Sequence, residues 1–232
     1  MAAHSSLPTF PTFRIGASAS PILLLLLGWL MVVSSVRAAT LIEATVEGRD
    51  VRMVIDRQQD RVSMRAAGAR TLFDLAAGYV YVENGHAPAR RMAARFRPGY
   101  REPAPYRIEP FGPGPLIAGH ASVYHVLYAE DRVCAEVMLS AWMSPFVDPA
   151  VRAIGLLEQS RPANGVDACA RIPFTTLAAA GWPLLVGKID RPTFATRVVR
   201  FDHEPAADEL VPPKAFVDVA PGSLDPFPLW PR

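Results

Sequence analysis

Proline is the feature that most restricts this chain. The sequence holds 23 prolines in 232 residues, about twice the usual share. Six of them, Pro98, Pro103, Pro105, Pro110, Pro113 and Pro115, fall between Phe96 and Leu116. Each removes a backbone donor and breaks a helix interior or a central strand. A helical bundle is therefore disfavoured, and a strand-rich fold is expected. The stretch 96–116 reads as a long connection or edge excursion, with room for a brief strand from Tyr106 to Pro110. Half of the residues are hydrophobic and 20% are charged, which excludes a disordered acidic chain, and the length suits one domain.

Two-residue periodicity sets out the strands. Leu41 to Glu47 and Asp50 to Arg57 read as a hairpin about Gly48-Arg49, with Val51, Met53 and Ile55 on one face and Arg52 on the other. After a polar turn at Gln58-Gln59-Asp60, Arg61 to Ala66 alternates Val62, Met64 and Ala66 against Arg61, Ser63 and Arg65. Thr71 to Leu75 and Tyr79 to Glu83 continue this antiparallel meander, closed by the hairpin dipeptide Asn84-Gly85. Beyond the proline-rich stretch, His120 to Glu130 and Arg132 to Ser140 form a second pair. In the first of these, Val123, His125 and Leu127 alternate with Tyr124, Val126 and Tyr128. A strand apolar on both faces is either covered on both sides or lines a cavity.

One helix stands out. Asp148 reads as its N-cap, Pro149 as its first position, and Val151, Ile154 and Leu157, with Leu156 beside them, as its apolar stripe to Gln159. It is expected to cover one side of the sheet. A short helical turn at Phe174 to Ala180 and a last strand pair, Trp182 to Ile189 and Thr193 to Asp202, follow. The tail from Ala220 carries Pro221, Pro226, Pro228 and Pro231 and reads as extended. The fold class is mainly β with α. The organisation is a leader over 1–38, one domain over 39–219 and a proline-rich tail over 220–232.

The leader rests on twelve apolar residues from Ile22 to Val33. As a helix they rise about 18 Å, against roughly 30 Å of hydrocarbon in a bilayer. A secretory signal fits better than a spanning helix, with Val36 and Ala38 at the small-residue positions before cleavage after Ala38. The expected location is the periplasm or the exterior. Without the leader's Arg14 and Arg37, the chain holds 22 basic and 22 acidic residues. Its basic half, Arg49 to Arg107, has twelve arginines against six acids. That half allows a peripheral contact with anionic lipid, or it is a set of solvated strand faces. Export and zero mature charge speak against a nucleic-acid partner.

No catalytic template is present: no Gly-x-Ser-x-Gly elbow, phosphate loop or His-Glu-x-x-His pair occurs in the mature chain. His120 and His125 are five apart, which sends them to opposite faces of one strand. No catalytic residue, cofactor or metal is therefore expected. The alternatives left open are a metal site across strands with Glu136 or Asp202, and a hydrolase built on His125 and Glu136. Cys134 and Cys169 are expected to pair as a disulfide in an oxidising compartment, two buried free thiols being the alternative.

The order of signal, meander, long connection, further strands, covering helix and closing strands resembles the open half-barrel of the periplasmic lipoprotein carrier and receptor proteins of the LolA/LolB type. The segments Leu116-Ile-Ala-Gly-His-Ala-Ser-Val-Tyr124-His-Val, Cys134-Ala-Glu-Val-Met-Leu-Ser140 and Leu210-Val-Pro-Pro-Lys-Ala-Phe216 are similar to an exported family of uncharacterised proteins with an Ile-Ala-Gly turn. The resemblance implies a curved antiparallel sheet, an open half-barrel covered on its concave side by the helix. It implies a surface sheltering an acyl chain, a lipoprotein or an apolar partner segment. The candidate lining is Val123, His125, Leu127, Val133, Val137, Leu139, Ile154 and Leu157. The expected partner is a hydrophobic ligand or an envelope protein, and an envelope interaction subunit is the alternative. Unlike the receptor type, the chain has no lipid-attachment cysteine after its apolar run.

Overall fold

Strand β1, Ala39–Val46, lies inside the sheet between two strands from opposite ends of the chain: β2, Arg49–Asp56, and β11, Arg191–His203. The structure is a computed structural model and describes residues 38–85, 88–94, 106–159, 168–170, 172–188 and 191–220. The leader expected over 1–38, save Ala38, and the tail from Pro221 lie outside the described residues. From β2 the chain runs through β3 (Arg61–Ala66), β4 (Ala69–Asp74), β5 (Tyr79–Glu83) and β6 (Ala89–Ala93), each antiparallel to the one before. Across the sheet come β10 (Trp182–Lys188), β9 (Arg132–Ser140), β8 (Val123–Ala129) and β7 (Tyr106–Pro113). With β12 (Phe216–Asp218) at one edge, the twelve strands run β12-β6-β5-β4-β3-β2-β1-β11-β10-β9-β8-β7, an open order. The protein is thus mainly β with α.

The turns explain the meander. Glu47 and Gly48 take φ of 48° and 76°, and Ala67 and Gly68 take 47° and 78°. Two successive left-handed residues match the twist of a tight hairpin, and glycine holds the second place without strain. At the β2–β3 turn, Asp56 Oδ1 accepts from the Gln58 and Gln59 N–H groups at 2.9 and 3.0 Å. The proline-bearing β7 pairs only with β8 among the described strands, so the missing donors of Pro110 and Pro113 fall at the sheet's edge.

Several elements differ from expectation: β6 falls where no strand was expected, β7 runs three residues beyond Pro110, and β8 begins at Val123, leaving His120 outside the strand. The helix α1 spans Ser144–Gln159, a turn earlier than predicted, following a 3-10 turn at Ala141–Met143. Pro145 occupies its first turn, where a missing N–H is harmless. Asp148 is therefore not the cap; its carboxylate accepts from Arg152 Nε at 3.0 Å, one turn on. Pro149 sits inside the helix, buried. The buried stripe is Val147, Ala150, Ala153, Ile154 and Gly155, while Val151 and Leu157 flank it half-buried. A further difference is β12, Phe216–Asp218, which pairs in parallel with β6.

Helix α1 packs on β2 and β3, and the short α2, Phe174–Ala178, packs between α1 and β10. Glu158 in the last turn of α1 caps α2, accepting from the Phe174 N–H, the Thr175 N–H at 3.3 Å and the Thr175 hydroxyl at 2.8 Å. Under the helices lies one apolar cluster in which Trp182, Phe73 and Phe174 are the largest fully buried side chains. The opposite face carries a smaller cluster, Ala39, Leu41, Val54, Leu72 and Tyr81, sealed by Leu210. Three arginines hold that seal. Arg52 Nε donates to Glu209 at 3.1 Å, Arg70 Nη2 to the Glu209 and Val211 carbonyls at 3.0 and 2.9 Å, and Arg61 Nη1 to the Leu210 carbonyl at 3.5 Å. Among the described residues no helix is long and apolar enough to cross a membrane.

Candidate binding site

The β8–β9 register decides where the nominated lining residues fall. Val123 lies opposite Leu139, His125 opposite Val137, and Leu127 opposite Ala135. Leu127, Val137, Leu139 and Ile154 are fully or almost fully buried in the cluster beneath the helices, and Leu157 packs against it. His125 is buried on the same strand face, its Nδ1 2.9 Å from the Val123 carbonyl oxygen. Val133 departs from this set. A bulge between Leu127 and Tyr128 sets Val133 opposite Tyr128, so it changes faces and is 63% exposed. Val123, at the start of β8, is also exposed.

Close to that end of β8 and β9 the chain gathers an aromatic cluster from four separate segments. Trp142, in the 3-10 turn after β9, stacks on the His120 ring at 5.6 Å and meets Phe146 of α1 at 5.2 Å. Phe201 of β11 closes the group, 5.1 Å from Trp142, 4.5 Å from Phe146 and 5.5 Å from His120. The Arg57 guanidinium lies over Phe146 at 5.6 Å. Despite these neighbours Trp142 remains 58% exposed.

Local sequence explains how these rings meet. Ala118 and Gly119 take φ of 50° and 82°, a tight turn closed by Ile117 and His120 through paired backbone bonds of 3.0 and 2.9 Å. The Ile-Ala-Gly segment thus presents His120 to Trp142. The excursion from β7 is tightened where the Gly114 N–H donates to the Ser122 carbonyl at 2.9 Å and the Ser122 hydroxyl to the Pro115 carbonyl at 2.7 Å. A Cβ on Gly114 would sit 2.3 Å from the Ser122 hydroxyl, so the approach requires glycine. Leu116, on this excursion, is exposed. None of the four cluster residues was nominated from sequence. Trp142 and Phe146 carry the four-residue spacing of one helical face, which was a usable signal; Phe201 carried none.

The histidine and carboxylate considered for hydrolysis do not meet. His125 faces with Val137, whereas Glu136 lies opposite Val126 on the other face of the sheet. Glu136 instead acts on Tyr124, whose hydroxyl is held above its ordinary pKa by desolvation and by that carboxylate. Among the described residues no group of three or more His, Cys, Asp or Glu is placed to hold a metal. Cys134 and Cys169 form a disulfide with Cα atoms 4.7 Å apart. It ties β9 to the 3-10 turn Ala168–Ala170, where the Tyr106 hydroxyl also donates to the Ala168 carbonyl at 2.8 Å.

No family model matches the chain, and no curated protein matches it. Among solved structures it is similar to PNGF-II, with 10% identity and a TM-score of 0.40 over 79% of this chain and 32% of that one. The chain thus spans about a third of that protein's length, and a likeness at this level carries no argument about fold or chemistry.

Proposed function

We propose that this is an exported binding protein, released from its leader near Ala38, that takes up an acyl chain or an apolar partner segment at the aromatic cluster. The observation that carries the reading is Trp142, stacked on His120 and packed on Phe146 and Phe201 yet more than half exposed. A large ring held in place at the surface offers apolar area whose ordering cost is already met by its neighbours, and such patches mark interaction sites. Leu116, in the segment that leads to His120, is a second exposed apolar side chain.

In this reading the sheet curves about its helices as an open half-barrel. Met92 of β6, Leu127 of β8 and Ile154 of α1 belong to one buried apolar cluster on the face about which the sheet would curve. The space beneath α1 is filled by Leu127, Val137, Leu139 and Ile154. The ligand therefore enters at the rim, beside the start of α1. His125 and Glu136, the pair on which a hydrolase reading would rest, lie on opposite faces of the sheet, and the reading here is therefore binding. Tryptophan fluorescence tests the site. Titrating palmitate into the mature chain should shift Trp142 emission to the blue, and Trp142→Ala should remove that shift. An unchanged spectrum in the unsubstituted chain would count against the site.

A further inference from the structure

On the sheet face opposite the helices, the register sets five charged side chains abreast: Glu43 of β1, Arg52 of β2, Arg65 of β3, Arg70 of β4 and Glu83 of β5. Residues directly opposite across antiparallel strands have Cβ atoms about 4.5–5.5 Å apart, and like charges so placed destabilise a sheet. Here three arginines stand side by side. The outer two are satisfied: Arg52 bonds Glu209 at 3.1 Å and lies 3.7 Å from Glu43, and Arg70 bonds Glu83 at 2.6 Å. Among the described residues no acceptor contacts the exposed Arg65 in the middle of the row. Next to it the Arg70 Nε N–H is buried with no acceptor.

The row borders an open pocket of about 470 Å³, also lined by Asp50 and by Arg197 of β11, which bond each other at 2.8 Å. That volume is within the range of small-molecule sites. Each other arginine of the lining has a fixed carboxylate, so Arg65 is the one left with its guanidinium fork open. A planar fork matches an oxyanion with two parallel bonds, and such bonds are stronger than neutral ones.

We propose that this pocket is a binding site for a phosphate-class oxyanion, anchored by Arg65 between Arg52 and Arg70, with room in the pocket for an organic body attached to it. The site lies on the opposite sheet face from the helices and is independent of the aromatic cluster. An anion over Arg65 relieves the repulsion that the carboxylates on Arg52 and Arg70 leave in the middle of the row. It also gives the basic half of the chain a defined use in place of a diffuse surface charge.

The test uses the mature chain at low salt with inorganic phosphate, followed by calorimetric titration and thermal melting, and vesicles of phosphatidylglycerol in phosphatidylcholine, followed by co-sedimentation. Arg65→Ala and Arg65→Gln are the variants; Arg65 is exposed, and circular dichroism checks that both fold. Phosphate should raise Tm in the unsubstituted chain, and both variants should weaken binding by roughly tenfold or more. Without phosphate the variants should melt no lower than the parent, because a like-charge neighbour is gone. Arg65-dependent binding of phosphate itself supports a soluble ligand. Arg65-dependent binding confined to the vesicles supports a lipid headgroup. Binding of neither probe, or binding that both variants retain in full, overturns the proposal.

Discussion

Arg52 and Glu209 are 157 positions apart in sequence and meet at 3.1 Å. Glu209 is almost wholly buried and also accepts from the Ala206 N–H at 3.2 Å. This contact seats the segment after β11 on the second face of the sheet, where Leu210 covers Leu41, Val54 and Leu72. Replacing Glu209 by Gln keeps the shape and removes the charge. The expected cost is about 1–3 kcal/mol, read by urea denaturation, with faster amide exchange across 206–211.

The same contact sets an acid dependence. Burial opposes ionisation of Glu209, but Arg52, the Ala206 N–H and His203 outweigh it and hold the carboxyl below the usual range. The Arg91 guanidinium, bonded to Asp218 at 2.7 and 2.9 Å, holds that carboxyl low in the same way. A group whose folded pKa is depressed stabilises fully above its unfolded value and loses that contribution as pH falls through the folded one. Stability should therefore hold as pH falls toward about 4 and decline below it. Glu209→Gln should show a shallower decline, measured as Tm against pH.

The seam between α1 and α2 is close at Gly155, where an added Cβ would lie 3.1 Å from Thr175 Cγ2. Alanine is favoured over glycine in a helix by about 1 kcal/mol, and the contact opposes that gain. Gly155→Ala alone should stabilise by less than this propensity difference or destabilise. In a Thr175→Ser background, which removes the methyl but keeps the hydroxyl that bonds Glu158, the same change should stabilise. Urea denaturation of the four proteins gives the coupling.

The disulfide joins residues 35 apart and fastens the turn at Ala168–Ala170 to β9. Reducing it should lower stability by about 2–4 kcal/mol. The double variant Cys134→Ser, Cys169→Ser should show the same loss without reductant. Equal stability of the reduced and oxidised chains would mean that packing, including the Tyr106–Ala168 bond, already holds this turn.

Much of the meander was legible because its information is local. Val51, Met53 and Ile55 alternate in plain two-residue period, and Gly48 marks the turn before them. The helix was legible as an element but not in its start, because Pro149 looks like a first-turn proline and Pro145 is the one that holds that place. Long-range features left no such trace. The β6–β12 pairing joins Arg91 to Asp218, 127 positions away, and nothing near Phe216 announces a parallel partner. Val133 shows how one extra residue defeats a correct alternation: the bulge beside Tyr128 moves it to the opposite face from Val137 and Leu139. The aromatic cluster needed His120, Trp142, Phe146 and Phe201 to converge, which pairing of the strands decides and spacing does not.

Native mass spectrometry of the mature chain, isolated gently from a periplasmic extract beside its Trp142→Ala variant, tests the binding claim most directly. A reproducible added mass is expected on the parent chain, released on denaturation, recovered in a lipid extract or as an apolar peptide, and lost or sharply reduced in the variant. An apo mass for both proteins that stays apo after incubation with palmitate and with short lipopeptides would contradict it.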